Sequence, residues 1–311
     1  MRANANAAAI AARDFGHGSS FPAGPRRRSR LSYTRVDPVG LHFNGPNSFT
    51  SCVRAPRHNA RVIAGDRDLR ESWLKGTPIA HRGLHAASAG RPENSLGAFE
   101  QACALDFPAE LDVRLTRDGE VVVFHDRALR RLTGAAGRVE QRTAADLRGL
   151  RLLGTDECVP LLGEVLDLVA GRVPLLIELK ATVPGAALEQ AVLGVLDGYA
   201  GDVAIQSFKL RTVRELDRRD APHAIGHLWR RRTVAAPRTR LEFVGCHVAG
   251  VPRRAVRRRR ESGAVVLAWT VRSAEQARHA LRFVDNYIFE DFVPDRAHPL
   301  SAPGSVAAAS P

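Results

Sequence analysis

A parallel (β/α)8 barrel of the TIM type is the fold this sequence predicts, and three observations lead to it. Short apolar, strand-like runs recur near 77–80, 109–113, 174–179, 202–206, 223–228, 243–248, 265–269 and 286–290. Amphipathic segments lie between most of them, at 95–105, 163–170, 186–199, 208–219, 251–262 and 273–282. Strand–helix alternation sustained over roughly 220 residues suits a closed barrel of parallel strands. The third observation concerns the alternative, an open doubly wound sheet. No G-x-G-x-x-G follows a strand to give it a dinucleotide loop.

Taken in order, residues 1–72 stand apart. They have few acids, an arginine cluster at Arg26, Arg27, Arg28 and Arg30, and little periodicity. Such a segment buries too little surface to offset backbone ordering, so a disordered basic tail is expected. A mis-assigned start codon gives the same composition. An organelle transit peptide is compatible with it, whereas Ala7–Ala12, with Asp14 close behind, makes a poor signal-peptide core. The regular pattern begins near Thr77, and residues 73–298 are expected to form the barrel. In 95–105, Leu96, Phe99 and Ala102–Cys103 repeat at helical spacing. The stretch between the second and third barrel strands exceeds a simple connection. It holds a hairpin arm at 120–124, the basic run LRRLTGAAGRVE and a short helix near 143–149, which together make a small insertion. Residues 299–311 are expected to be a disordered C-terminal tail.

Composition sets limits. With 311 residues and 44% hydrophobic content, the chain can bury a substantial core. Its net charge of +13 rests on arginine, since Lys75, Lys180 and Lys209 are the only lysines. Basic runs at Arg230–Arg232 and Arg257–Arg260 raise the possibility of a nucleic-acid binder. Aromatics are sparse at 6% and do not interleave with those runs. A solvated basic face is the simpler reading, with no specific nucleic-acid partner. Four widely spaced cysteines without C-x-x-C point to reduced thiols in a cytoplasmic protein. No apolar run reaches the length of a transmembrane helix.

The stretch Glu110–Asp126, ELDVRLTRDGEVVVFHD, concentrates the chemistry. Glu110 and Asp112 alternate with Leu111, so a strand puts both carboxylates on one face. Asp118-Gly119 signals a turn. The apolar run Val121–Phe124 then delivers His125 and Asp126. Upstream, Pro78-Ile79-Ala80 leads into His81-Arg82-Gly83 and then Pro92-Glu93-Asn94-Ser95. Downstream, Pro174–Ile177 leads into Glu178-Leu179-Lys180. Acids, histidines and cations at the carboxyl ends of buried strands are the pattern of a barrel active site.

The segments IAHRG, RPENS, ELDVRLTRDGEVVVFHD and LIELK, with QSF at 206–208 and AWTV at 268–271, resemble the glycerophosphodiester phosphodiesterases. The likeness runs from about Pro78 to Pro294. It implies metal-dependent hydrolysis of a glycerophosphodiester to glycerol 3-phosphate and an alcohol. The resemblance makes Glu110, Asp112 and Glu178 ligands of one divalent cation, and three carboxylates suit Ca²⁺ or Mg²⁺. It makes His125 and His81 the acid/base pair, with His125 as base and His81 as acid or the reverse. Arg82 and Lys180 are expected on the phosphate. Glu93 would orient Arg82 or His81, or touch the metal shell. Phe208 and Trp269 would wall the alcohol side or serve as core aromatics. Gly83 would let the backbone approach the ligand. Either direct attack by water or a cyclic phosphate route fits these residues.

Three departures bear on substrate choice. Phe107-Pro108 stands where a glycine-containing turn is common, Arg272 where a small polar residue is usual, and Glu290 is an extra acid at the barrel mouth. The rival within enzymes is a lysophospholipase D acting on lipidated diesters, which needs an apolar mouth that the sequence does not plainly offer.

Overall fold

The computed structural model describes residues 72–182, 185–229, 241–251 and 254–294. The tails expected at 1–72 and 299–311 lie outside them, apart from Ser72, as does the Arg230–Arg232 run. The strands are β1 (Ile79–Ala80), β2 (Ala109–Leu115), β3 (Val121–Val123), β4 (Leu175–Leu179), β5 (Val203–Ser207), β6 (Ala224–Trp229), β7 (Phe243–His247), β8 (Val265–Val271) and β9 (Asn286–Phe289). They form one nine-stranded sheet, ordered β1-β9-β8-β7-β6-β5-β4-β2-β3. A further β1–β2 pairing, Ala80 beside Ala109, closes it into a barrel of parallel strands. β3 alone lies outside the ring, antiparallel to β2.

The helices are α1 (Leu96–Ala104), α2 (Arg130–Thr133), α3 (Ala144–Arg148), α4 (Leu162–Val169), α5 (Ala187–Val195), α6 (Leu210–Arg218), α7 (Arg254–Glu261) and α8 (Ala274–Ala280). Six of them match the expected amphipathic segments to within a few residues, and α3 matches the short helix near 143–149. The single-turn α2 was not expected. Its four residues, RRLT, are too few to show a period. The basic run at 257–260 lies on α7, where Arg260 pairs with Asp285 at 2.9 Å.

Alternation along the strands sorts side chains into two cores. On β2, Ala109, Leu111 and Val113 face outward and pack with Phe99, Ala102, Leu162 and Val165 from the helices. The opposite face carries Glu110 and Asp112 into the barrel. Inside, Leu74, Ile79, Leu176, Ala204, Phe243, Leu267 and Ile288 form a separate apolar plug. Leu74, from the 3-10 turn Ser72–Lys75, is fully buried in that plug. The plug floors the site, because Leu176 and Glu178 share one face of β4, as Ala204 and Gln206 do on β5. The insertion has a core of its own around Phe124, Leu129, Leu132, Leu147 and Leu152.

Candidate active site

Register brings the acids together. Asp112 on β2 lies beside Glu178 on β4, and Glu178 beside Gln206 on β5. Glu110, Asp112 and Glu178 are buried, and one oxygen from each lies within 4.8 Å of the others. Burial, then Asp112, then Glu178 drives the Glu110 carboxyl well above its ordinary range. Burial raises Glu178 to about 7 against the pull of Lys180. Burial also acts to raise Asp112, but Lys180, His125 and Arg82 outweigh it and hold that carboxyl low. Three buried carboxylates with too little positive charge around them make a costly arrangement unless a cation joins them. Asp112 Oδ1 lies 3.0 Å from Lys180 Nζ yet accepts no well-directed hydrogen bond. The hard oxygen donor set fits a divalent ion, and the group points to a divalent metal.

Short local devices aim these residues. Arg82 has φ 55° and Gly83 φ 75°, so the chain turns sharply after β1. The Arg82 N–H donates to Glu110 Oε2 at 3.0 Å, and the Gly83 N–H to the Glu110 carbonyl at 3.0 Å. A Cβ on Gly83 would come within 2.9 Å of the Ala98 backbone. The close approach seen at Gly83 is to α1, a packing role that the sequence reading did not assign. Asn94 donates to Asp112 Oδ2 at 3.0 Å and accepts from the Asp112 N–H at 3.3 Å. Sequence reasoning quoted Asn94 within RPENS but gave it no task.

The cations and histidines lie around the acids. Lys180 Nζ is 2.6 Å from Glu178 Oε1. Arg82 Nε lies 3.3 Å from Asp112 Oδ2, and its Nη1 donates to Glu93 at 2.6 Å. Glu93 also takes both terminal nitrogens of Arg131 at 2.7 Å. Arg131 Nε reaches Asp126 at 2.5 Å, and Asp126 Oδ1 bonds His125 Nδ1 at 2.7 Å. One arginine from the insertion thus ties the Arg82 side of the site to the His125 side. No sequence signal set Arg131 apart from its basic neighbours. His81 Nδ1 bonds Glu290, and Nε2 lies 3.9 Å from Glu110 Oε2. Burial lowers the His81 pKa against the opposing Glu290 contact, and burial lowers His125 as well.

A cavity of about 240 Å³ collects the groups. His81, Arg82, Glu110, His125, Glu178 and Lys180 line it, together with Phe208, Trp269, Gln206 and Arg272. Phe208 and Trp269 meet edge to face with centroids 5.2 Å apart. Gln206 is buried beside Glu178, and its Oε1 has no hydrogen-bond partner. The β-strand reading of 202–206 covered this residue without marking it as one that faces the site. A wider groove of about 830 Å³ shares His125, Glu178, Lys180 and Phe208 with the cavity. Among the described residues, no helix is long and apolar enough to cross a membrane.

Comparison with known proteins follows the same outline. The model of the glycerophosphoryl diester phosphodiesterase family matches residues 81–294. A glycerophosphodiester phosphodiesterase of Bacillus altitudinis is 32% identical over 240 residues, which are 70% of this chain and 95% of that one. One from Caldanaerobacter subterraneus is 33% identical over 165 residues, covering 48% of this chain. The chain spans 58% and 65% of the length of two curated relatives. Among solved structures, the Thermotoga maritima glycerophosphodiester phosphodiesterase superposes with a TM-score of 0.58 at 27% identity, covering 68% of this chain and 94% of that one. An Oleispira antarctica phosphodiesterase, solved with sn-glycerol-3-phosphate, shares the fold with a TM-score of 0.62 at 24% identity, covering 71% and 94%.

Proposed function

The chain belongs to the glycerophosphoryl diester phosphodiesterase family, and from that premise we propose that it hydrolyses glycerophosphodiesters to glycerol 3-phosphate and an alcohol. One observation carries the reading. Two histidines, two cations and three carboxylates, the acids carried by β2 and β4, gather at one small cavity.

Glu110, Asp112 and Glu178 would hold one divalent cation, Ca²⁺ or Mg²⁺. When bound, that ion supplies positive charge for the non-bridging phosphate oxygens. The chain's own residues do the rest. Arg82 and Lys180 line the cavity beside the acids and bind the phosphoryl group, Arg82 as a planar fork and Lys180 as a point charge. His125 accepts the proton of the attacking hydroxyl as the P–O bond forms. His81 gives a proton to the departing alkoxide as the second P–O bond breaks, so the protons balance. Burial favours neutral imidazole at both positions, which suits His125 as the base; at His81 the Glu290 contact acts the other way and favours the protonated ring that an acid requires. Glu93 orients Arg82, to which it is bonded. Phe208 and Trp269 wall the organic side of the cavity, and the adjoining groove gives the alcohol room.

The substrate is a small, water-soluble diester. Charged and polar residues dominate the lining of the cavity that would hold the glycerophosphoryl group, and the adjoining groove adds Leu179, Ala181, Phe208, Leu228 and Trp229 to its polar lining. Purified protein is expected to turn over glycerophosphocholine faster than lysophosphatidylcholine. A preference for the lipidated substrate would replace this reading with a lysophospholipase D. We also place the protein in the cytoplasm, supported by free thiols at Cys103, Cys158 and Cys246.

A further inference from the structure

We propose that Glu290 is a positioning residue for His81, fixing the imidazole so that Nε2 faces the reacting phosphoryl group. The inference rests on the phosphodiesterase reading above and assigns a task to a residue outside the expected acid, histidine and cation set.

The two nitrogens of His81 face different neighbours. Nδ1 bonds Glu290 Oε2, while Nε2 lies 3.9 Å from Glu110 Oε2 at the cavity. An ionised carboxylate can only accept, so Nδ1 must carry the proton of that bond. The neutral ring then has its lone pair on Nε2, and the charged ring has its transferable proton there. In either state the reactive nitrogen is the one aimed at the site.

The carboxylate is itself held. Glu290 follows β9 directly, and its N–H donates to the Val271 carbonyl at 3.0 Å. The His81 N–H donates to the Phe289 carbonyl at 2.9 Å, so the two residues leave neighbouring strands side by side. Arg272, just past β8, bonds the other oxygen, Oε1. Arg272 is anchored in turn by Asp291 at 3.2 Å and by its own N–H to Gln276 at 2.9 Å. The second imidazole of the turn, His85, has Nε2 3.9 Å from the same Glu290 oxygen. An incidental surface ion pair would contribute little. This pair is different, because the His81 and Glu290 side chains are only 14% and 12% exposed.

Glu290→Gln separates orientation from packing. The amide keeps the shape; with its carbonyl oxygen held by the donor-only Arg272, its NH2 faces Nδ1 and favours a bare Nδ1, hence the opposite tautomer. Full-length enzyme with its divalent ion and glycerophosphocholine should show kcat lowered about 10- to 100-fold, as for other residues that orient a site ligand, with KM little changed. In a His81→Ala background the same change should alter kcat by less than about twofold, because the partner is gone. Arg272→Met, which frees one oxygen of Glu290, should give a smaller fall in kcat. Imidazole ¹⁵N shifts should report the Nδ1–H form of His81 in the wild type and its loss in Glu290→Gln. Equal falls in both backgrounds, or an Nε2–H form in the wild type, would overturn the proposal. Should Glu290→Gln fail to fold, the wild-type ¹⁵N spectrum and Arg272→Met decide. A wild type inactive on every glycerophosphodiester sinks the functional reading instead, and the ¹⁵N spectrum still judges Glu290.

Discussion

Single side chains at this site act through charge in a place that water barely reaches. His81 is as sequestered as Lys180, each with 14% of its side chain exposed, while Asp112 between the cations retains 1%. At such burial, removing one partner leaves the others unbalanced. His81→Ala and His125→Ala are each expected to lower kcat by roughly 10²-fold or more, measured on glycerophosphocholine. An unchanged kcat in either would remove that histidine from the acid/base pair. Arg131→Met is expected to lower kcat about 10- to 100-fold while leaving the fold intact by circular dichroism, since Arg131 joins Glu93 to Asp126. Glu110, Asp112 and Glu178 were legible because the family resemblance singled them out and because apolar neighbours in two strand-like runs argued against a solvated strand face. Arg131 was not legible, since an arginine among arginines carries no signal until the chain is folded around it. Gln206 stood within the QSF segment of the resemblance, but without a task. Glu290 lay between these cases: it stood out as an extra acid, but its partner His81 is 209 residues away.

Elements are held by contacts that leave little slack. On β6, a Cβ at Gly226 would meet the ring of Phe243 at 2.1 Å, inside the apolar plug. Gly226→Ala is therefore expected to destabilise the protein by about 1–3 kcal/mol, the usual cost of overpacking a core, read from chemical denaturation. An unchanged midpoint would mean that the plug is looser than described. The strands were readable because each is a run bounded by charge or turn residues, buried on both faces. Helices α1, α4 and α6 were readable because one face of each packs against the barrel. The short elements were harder. β3 was found as the hairpin arm at 120–124 through the Asp118-Gly119 turn signal, whereas α2, four residues long, is below the length at which a period can be told from chance. Thr143 caps α3 by accepting from the Asp146 N–H at 3.1 Å, and Asp146 returns a bond to the Thr143 N–H at 3.0 Å. That reciprocal box fixes the start of the short helix expected near 143–149.

At the scale of the whole molecule, closure of the sheet is what makes a site. Pairing of β1 with both β2 and β9 brings the His81 turn against Glu110 on one side and Glu290 on the other. Alternation predicted the strands, yet closure depends on register between residues far apart in the chain, such as Ala80 with Phe289. No local pattern encodes that. Eight strand-like runs made a barrel the economical arrangement, and the order of the charged motifs matched a barrel's carboxyl-end rim. In the proposed function, hydrolysis depends on a divalent ion held by Glu110, Asp112 and Glu178. The most direct test of that dependence is the rate of glycerophosphocholine hydrolysis by the purified chain before EDTA, after EDTA, and after Ca²⁺ or Mg²⁺ is added back. The expected result is activity that is lost on chelation, restored by one of the two ions, and absent throughout in Glu110→Ala. Full activity in EDTA, or in Glu110→Ala, would contradict it.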